Sequence, residues 1–213
     1  SHDQIYEEYQ QTEDSLNLET RALAYARDAA STGANLIILT GDAGHGKTHL
    51  CRRLLEDLLG YEEDHARSLI NEKCSGDVVI KHKDTTSSAR GLRIFKDFSE
   101  LPIAEASSRL EKLQGEQDAV TLICANEGKL RAVLEGADEG SFSYKVLSEF
   151  NSSFRDGLAS RSGKIHIINL NFQSIAADGD ERSLVIEALH QWTSGTRWRT
   201  CNECEARSGC PIL

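Results

Sequence analysis

Apolar positions along this chain follow two rhythms. Short unbroken runs read as buried strands: Asn35–Thr40, Ala119–Ala125 and Lys164–Leu170. Between them, apolar residues recur every three or four positions, as on one face of a helix. Such stripes predict helices over Leu18–Ser31 (Leu23, Ala26, Ala30), His49–Leu59 (Leu50, Leu54, Leu55, Leu58) and Pro102–Leu113. Further helices are expected over Tyr61–Cys74, Glu127–Leu134, Tyr144–Phe154 and Glu181–Trp192. Gly33 and Gly60 close the first two, and Pro102 stands where a helix tolerates proline. Two shorter strands are expected at Asp77–Ile80 and Gly91–Asp97. The polar stretch between them is too short for a helical crossover, so either the two run antiparallel or residues are missing there.

Strands alternating with helices argue for an α/β fold, with a mainly parallel central sheet between two helical layers. The segment Gly41-Asp42-Ala43-Gly44-His45-Gly46-Lys47-Thr48 falls between the first strand and the helix led by His49. It completes the pattern G-x-x-x-x-G-K-[ST], in the strand–loop–helix setting that pattern requires. The glycines let successive N–H groups turn inward, and the helix N-terminus adds positive potential, so the loop suits an anion. Lys47 is expected on the β- and γ-phosphates of a nucleoside triphosphate, and the Thr48 hydroxyl on Mg²⁺. Asp42 and His45 fill free positions of the motif, where solvated side chains are the simpler reading.

Hydrolysis needs more than this loop. Asp97, at the end of a strand, and Glu100 just beyond it form a loose acidic pair that suits Mg²⁺ and the attacking water. The same residues also read as acids on a solvated strand–helix turn. Asn126 directly follows the Ala119–Ala125 run, where it would orient water or cap the helix starting at Glu127. Arg155 and Arg161 precede the last strand, either as arginines for a neighbouring subunit's γ-phosphate or as plain surface residues.

The 213 residues, 39% of them hydrophobic, suffice for one such domain without disulfides. Three segments are expected: an N-terminal arm (1–17), a nucleotide-binding core (18–175) and a helix with a cysteine-rich tail (176–213). A net charge of −10 disfavours nonspecific nucleic-acid binding by overall charge. With neither a membrane-length apolar run nor a visible secretory signal, six cysteines fit a reducing cytoplasm. Methionine is absent, and Ser1-His2-Asp3 resembles the scar of a cleaved tag; methionines and some loop residues are therefore expected to be missing from the sequence. In the tail, Cys201-x-x-Cys204 and Cys210 suit three Zn²⁺ ligands with a fourth from His190 or from residues missing from the sequence, or, less simply, an iron–sulfur cluster, or they remain free thiols. Trp192, Arg197, Trp198 and Arg199 just before them suit tail packing or, less simply, nucleic-acid stacking.

Together, Gly41–Thr48, Ile94–Glu100, Cys124-Ala125-Asn126 and the arginines before the last strand resemble, in order, the AAA+ branch of the P-loop NTPases. The resemblance implies a three-layer ATPase core binding ATP and Mg²⁺ and assembling into a homo-oligomer. The acidic motif departs from the family pattern, because Lys96 interrupts its apolar run. More narrowly, Gly41–Cys51 with the cysteine tail is similar to the DptF-type ATPases of bacterial DNA-phosphorothioation-dependent restriction systems. That likeness implies antiphage defence, with restriction proteins and DNA as partners. A nucleotide-gated binding module with little hydrolysis, and a P-loop kinase, share the same loop.

Overall fold

The computed structural model describes residues 20–155, 158–159, 163–172, 184–194, 201–205 and 207–210. The chain divides into two units, Arg21–Gln173 and a second formed from Ser1–Thr20 with Ser174–Leu213.

The first unit is a three-layer α/β sandwich. Its strands are β1 (Leu36–Thr40), β2 (Ser75–Ile80), β3 (Gly91–Phe95), β4 (Ala119–Ala125), the two-residue β5 (Leu158–Ala159) and β6 (Ile165–Asn169). They form one sheet in the order β2-β3-β4-β1-β6-β5. The four inner strands are mutually parallel, while β2 and β5 pair antiparallel at the two edges. The short connection from β2 to β3 thus makes a hairpin, the first of the two alternatives left open by its length. Every residue of β1, β4 and β6 is buried, which explains their unbroken apolar runs.

One face of the sheet is covered by α1 (Arg21–Ser31), α2 (Lys47–Leu59) and α3 (Glu63–Lys73). Their apolar stripes pack on Ile37, Leu39, Ile94, Leu122 and Ile168. The other face is covered by α4 (Ile103–Lys112), α5 (Glu127–Leu134) and α6 (Phe142–Ser153), packed on Leu36, Ile38, Ile123, Ile165 and Ile167. Strand alternation sorts the two sets: odd positions of β1 face one helical layer and even positions the other.

Several boundaries differ from the apolar pattern for local reasons. β2 starts at Ser75 because Gly76, at φ +90°, makes an irregularity beneath Phe95; a Cβ there would sit 2.0 Å from the ring. β3 ends at Phe95, so Lys96 and Asp97 leave the sheet for a 3₁₀ turn over Phe98–Glu100. α2 starts two residues early, at Lys47, because Gly46 adopts the left-handed conformation (φ 78°) that leads into it. Gly60 (φ 72°) closes the same helix: its N–H donates to the carbonyl of Glu56, and the Tyr61 N–H that follows donates to that of Leu55.

In the second unit, the described residues form α7 (Leu184–Ser194) and two short turns around Cys201–Cys204 and Arg207–Cys210. Val185, Ile186, Leu189 and Trp192 of α7 are exposed. Among the described residues, no helix is long and apolar enough to cross a membrane.

Candidate functional site

The carboxyl edge of the parallel strands collects the candidate residues. β1 runs at the centre of the sheet and delivers the chain to Gly41, which turns at φ 149°. Gly44 and Gly46 follow with φ 81° and 78°, angles that side chains with a Cβ rarely adopt. No atom lies within 4 Å of where a Cβ would stand at either residue, so the loop's outer side is open. Asp42, Ala43 and His45 are exposed, whereas Lys47, Thr48 and His49 are half-buried. The first N–H groups of the 13-residue α2 end at this loop.

The Lys47 ammonium folds back over the loop. Its Nζ donates to the carbonyl of Gly41 at 2.9 Å and to that of Asp42 at 2.7 Å. His49 turns away along its own helix, its Nδ1 3.0 Å from the Arg52 guanidinium. Arg52 is itself buried and pairs with Glu56 and with Glu63 of α3, which fastens the two helices together.

β4 lies between β1 and β3, with Ala125 in register with Thr40. Asn126 therefore emerges beside the Gly41–Thr48 loop. Its Oδ1 accepts the N–H of Lys129 at 2.8 Å, so the helix-cap role is filled. Its own N–H donates to Ser99 Oγ at 2.8 Å. Ser99 sits in the 3₁₀ turn between Asp97 and Glu100, so this bond ties the end of β4 to the acidic turn. The Lys129 ammonium adds a second tie, donating to the Leu101 carbonyl. β3, which ends two residues before Asp97, stands two strand spacings from β1, roughly 10 Å. Its side chain is 51% exposed, with Lys96 Nζ 3.9 Å from Oδ2. Glu100 is exposed on the same turn.

On the other side of β1, the end of β6 contacts the loop directly. Asn171 Oδ1 accepts the N–H of Asp42 at 3.1 Å, and Asn169 Oδ1 accepts the N–H of Asn171 at 3.1 Å. Asn169 is in register with Thr40, and both are buried. Thr40 Oγ1 and Asn169 Nδ2 have no hydrogen-bond partner among the described residues. An orphaned buried polar group costs about 1–3 kcal/mol, so burial alone does not account for these two residues at this edge.

Ser99, Asn169 and Asn171 were not singled out in the sequence. Two asparagines alternating with Leu170 and Phe172, just past Ile165–Ile168, were the available signal.

Three cysteines belong to the buried cluster between the sheet and the first three helices. Cys51 of α2 and Cys124 of β4 are both buried, with sulfurs 3.4 Å apart. The hydrogen bond to Cys124 and burial push the Cys51 thiol well above its ordinary pKa. Burial pushes Cys74 up to about 12. All three are buried, whereas Cys204 of the tail is exposed.

Cys201 and Cys204 share one turn, the Cys204 N–H donating to the Cys201 carbonyl at 3.4 Å. Among the described residues, no three His, Cys, Asp or Glu side chains come together as a metal site requires; this includes Cys201, Cys204, Cys210 and His190. Arg155 is exposed beyond α6, on a surface groove of about 410 Å³ lined also by Tyr144, Leu147 and Asn151. Arg161, Arg197, Trp198, Arg199 and the arm at 1–17 lie outside the described residues. Comparison with protein-family models, curated proteins and solved structures finds no match in any of the three.

Proposed function

We propose that the chain binds ATP with Mg²⁺ through Gly41–Thr48 and hydrolyses it, working as an AAA+-like motor or switch in bacterial DNA-directed antiphage defence. The observation that carries the nucleotide reading is the loop itself. Positive-φ glycines, open space on its outer side, a long helix starting at Lys47 and a lysine at the loop's edge all suit a triphosphate. The Lys47 ammonium would exchange two carbonyl partners for phosphate oxygens, a stronger, charge-assisted contact. Thr48 and Asp97 supply the hard oxygen donors that Mg²⁺ takes, and the ion would neutralise charge developing on the phosphates. Glu100 and Asn126, joined through the Ser99 turn, would hold the attacking water. The cytoplasmic setting, the homo-oligomer and the partner proteins and DNA rest on the AAA+ and DptF-type resemblances. Zinc at the tail rests on cysteine spacing alone, and stoichiometric metal analysis decides it.

One observation favours a second reading, a nucleotide-gated binding module with little turnover. Asp97 lies off its strand beside Lys96, and Asn126 already spends its Oδ1 as a helix cap. Two variants separate the readings. Lys47→Ala is expected to abolish measurable ATP binding by calorimetry, and unchanged affinity would sink the nucleotide reading. Glu100→Gln is expected to cut steady-state phosphate release by about 10²–10⁴ with binding retained. A wild type that binds ATP without releasing phosphate establishes the gated module instead.

A further inference from the structure

Resting on the nucleotide reading, we infer that Asn171, backed by Asn169, is a positioning residue that fixes the start of the phosphate loop while Lys47 changes partners. The Gly41–Asp42 segment is held from two sides. Lys47 Nζ takes the carbonyls of both residues, at 2.9 and 2.7 Å. Asn171 Oδ1 takes the Asp42 N–H at 3.1 Å. When a phosphate draws the ammonium away, both carbonyls lose that partner at once. Among the described residues, the Asn171 bond is then the side-chain tie that remains on the segment.

The tie has a rigid base. Asn171 follows β6 in a 3₁₀ turn over Leu170–Phe172, and its N–H is fixed by Asn169 Oδ1 at 3.1 Å. Asn169 is 2% exposed and sits in register with Thr40, the last residue before the loop. The fit is close: a Cβ at Gly41 would stand 3.1 Å from Leu170 Cβ and 3.3 Å from Asn171 Oδ1. Gly41 is therefore needed for two reasons, its positive φ and the turn pressed against it. Through this contact the loop's geometry is set by β6 as well as by the strand and helix that flank it.

Two variants test the role. Asn171→Leu keeps the approximate volume and removes the acceptor; Asn171→Asp keeps the acceptor and adds negative charge beside the phosphates. Amide hydrogen exchange across Gly41–Thr48 is read without nucleotide, and ATP affinity by calorimetry with Mg²⁺. Asn171→Leu is expected to speed exchange at the Asp42 amide and to weaken ATP by about three- to tenfold, the range for one lost hydrogen bond. Asn171→Asp is expected to keep the amide protected while ATP weakens through charge repulsion. Unchanged exchange in the leucine variant, or unchanged ATP affinity despite faster exchange, overturns the proposal. Lost protection in the aspartate variant overturns it as well. A wild type that takes up no ATP defeats the nucleotide reading on its own, and the exchange arm still decides whether Asn171 orders the loop.

Discussion

Cys51 and Cys124 show how one residue's surroundings set its chemistry. The sulfurs lie 3.4 Å apart between α2 and β4, shielded from water. The thiolate is the reactive form, and raising the pKa of Cys51 and Cys74 suppresses it at neutral pH. Iodoacetamide under native, reducing-agent-free conditions is therefore expected to spare Cys51, Cys74 and Cys124 and to modify Cys204, which is exposed. Peptide mass spectrometry reads each site, and labelling of Cys51 at the rate of Cys204 would contradict the burial argument. The sequence presents six cysteines without this division. Cys124 lies in an apolar run and Cys51 on the stripe side of a helix, so their burial was legible; the closeness of their sulfurs was not, since it depends on how α2 crosses the sheet. The same limit applies to Asn171. Its partner Asp42 lies far away along the chain, and only the pairing of β6 with β1 brings them together.

At the scale of elements, helix termini carry much of the local specification. α6 begins at Ser141, whose Oγ accepts the Tyr144 N–H at 3.1 Å. Glu111 of α4 takes two more of its unpaired donors, the N–H groups of Ser143 at 2.7 Å and Phe142 at 3.2 Å. Burial pushes the Glu111 carboxyl up, but the donors on Ser143 and Phe142 and the charge of Lys145 outweigh it, so its pKa ends below the ordinary value. A depressed folded-state pKa means that the unfolded chain binds the proton more readily. The resulting stability is present above the unfolded value of about 4.3 and is lost as pH falls through the folded value. Glu111→Gln is expected to cost about 1 kcal/mol at pH 7, the scale of a lost cap, and to flatten that acid-side loss. Urea titrations at pH 7 and across the acid range read both; an undiminished acid dependence would show that Glu111 is not its source. Element positions were largely legible, because three strands are wholly buried and the helical stripes are regular. Ends were less so. β3 stops short of Asp97, where the chain passes into the 3₁₀ turn over Phe98–Glu100, and β2 begins early around a glycine whose need appears only once Phe95 lies across it.

For the molecule as a whole, the loop's position decides how ligand binding is felt. β1 and α2, which hold Gly41–Thr48 between them, both contribute to the larger buried cluster, and β1 also supplies Leu36 and Ile38 to the opposite one. Opening the loop's two supports would strip both helical layers from the central strand, so the loop does not sit on a separately melting segment. A ligand held there stabilises the folded unit by mass action, about 2.7 kcal/mol at a hundredfold excess over Kd. For a chain of this size that corresponds to a rise in Tm of roughly 5–10 °C. The rise is expected with ATP and Mg²⁺ together and is expected to vanish in Lys47→Ala, which lacks the ammonium proposed to meet the phosphates. Scanning fluorimetry over a nucleotide series measures it, with the cysteine-bearing tail left in place. A shift of the same size in Lys47→Ala would place the nucleotide elsewhere on the molecule. A shift confined to hydrogen exchange at the loop, with Tm unmoved, would instead detach the loop from the core in which β1 and α2 are buried.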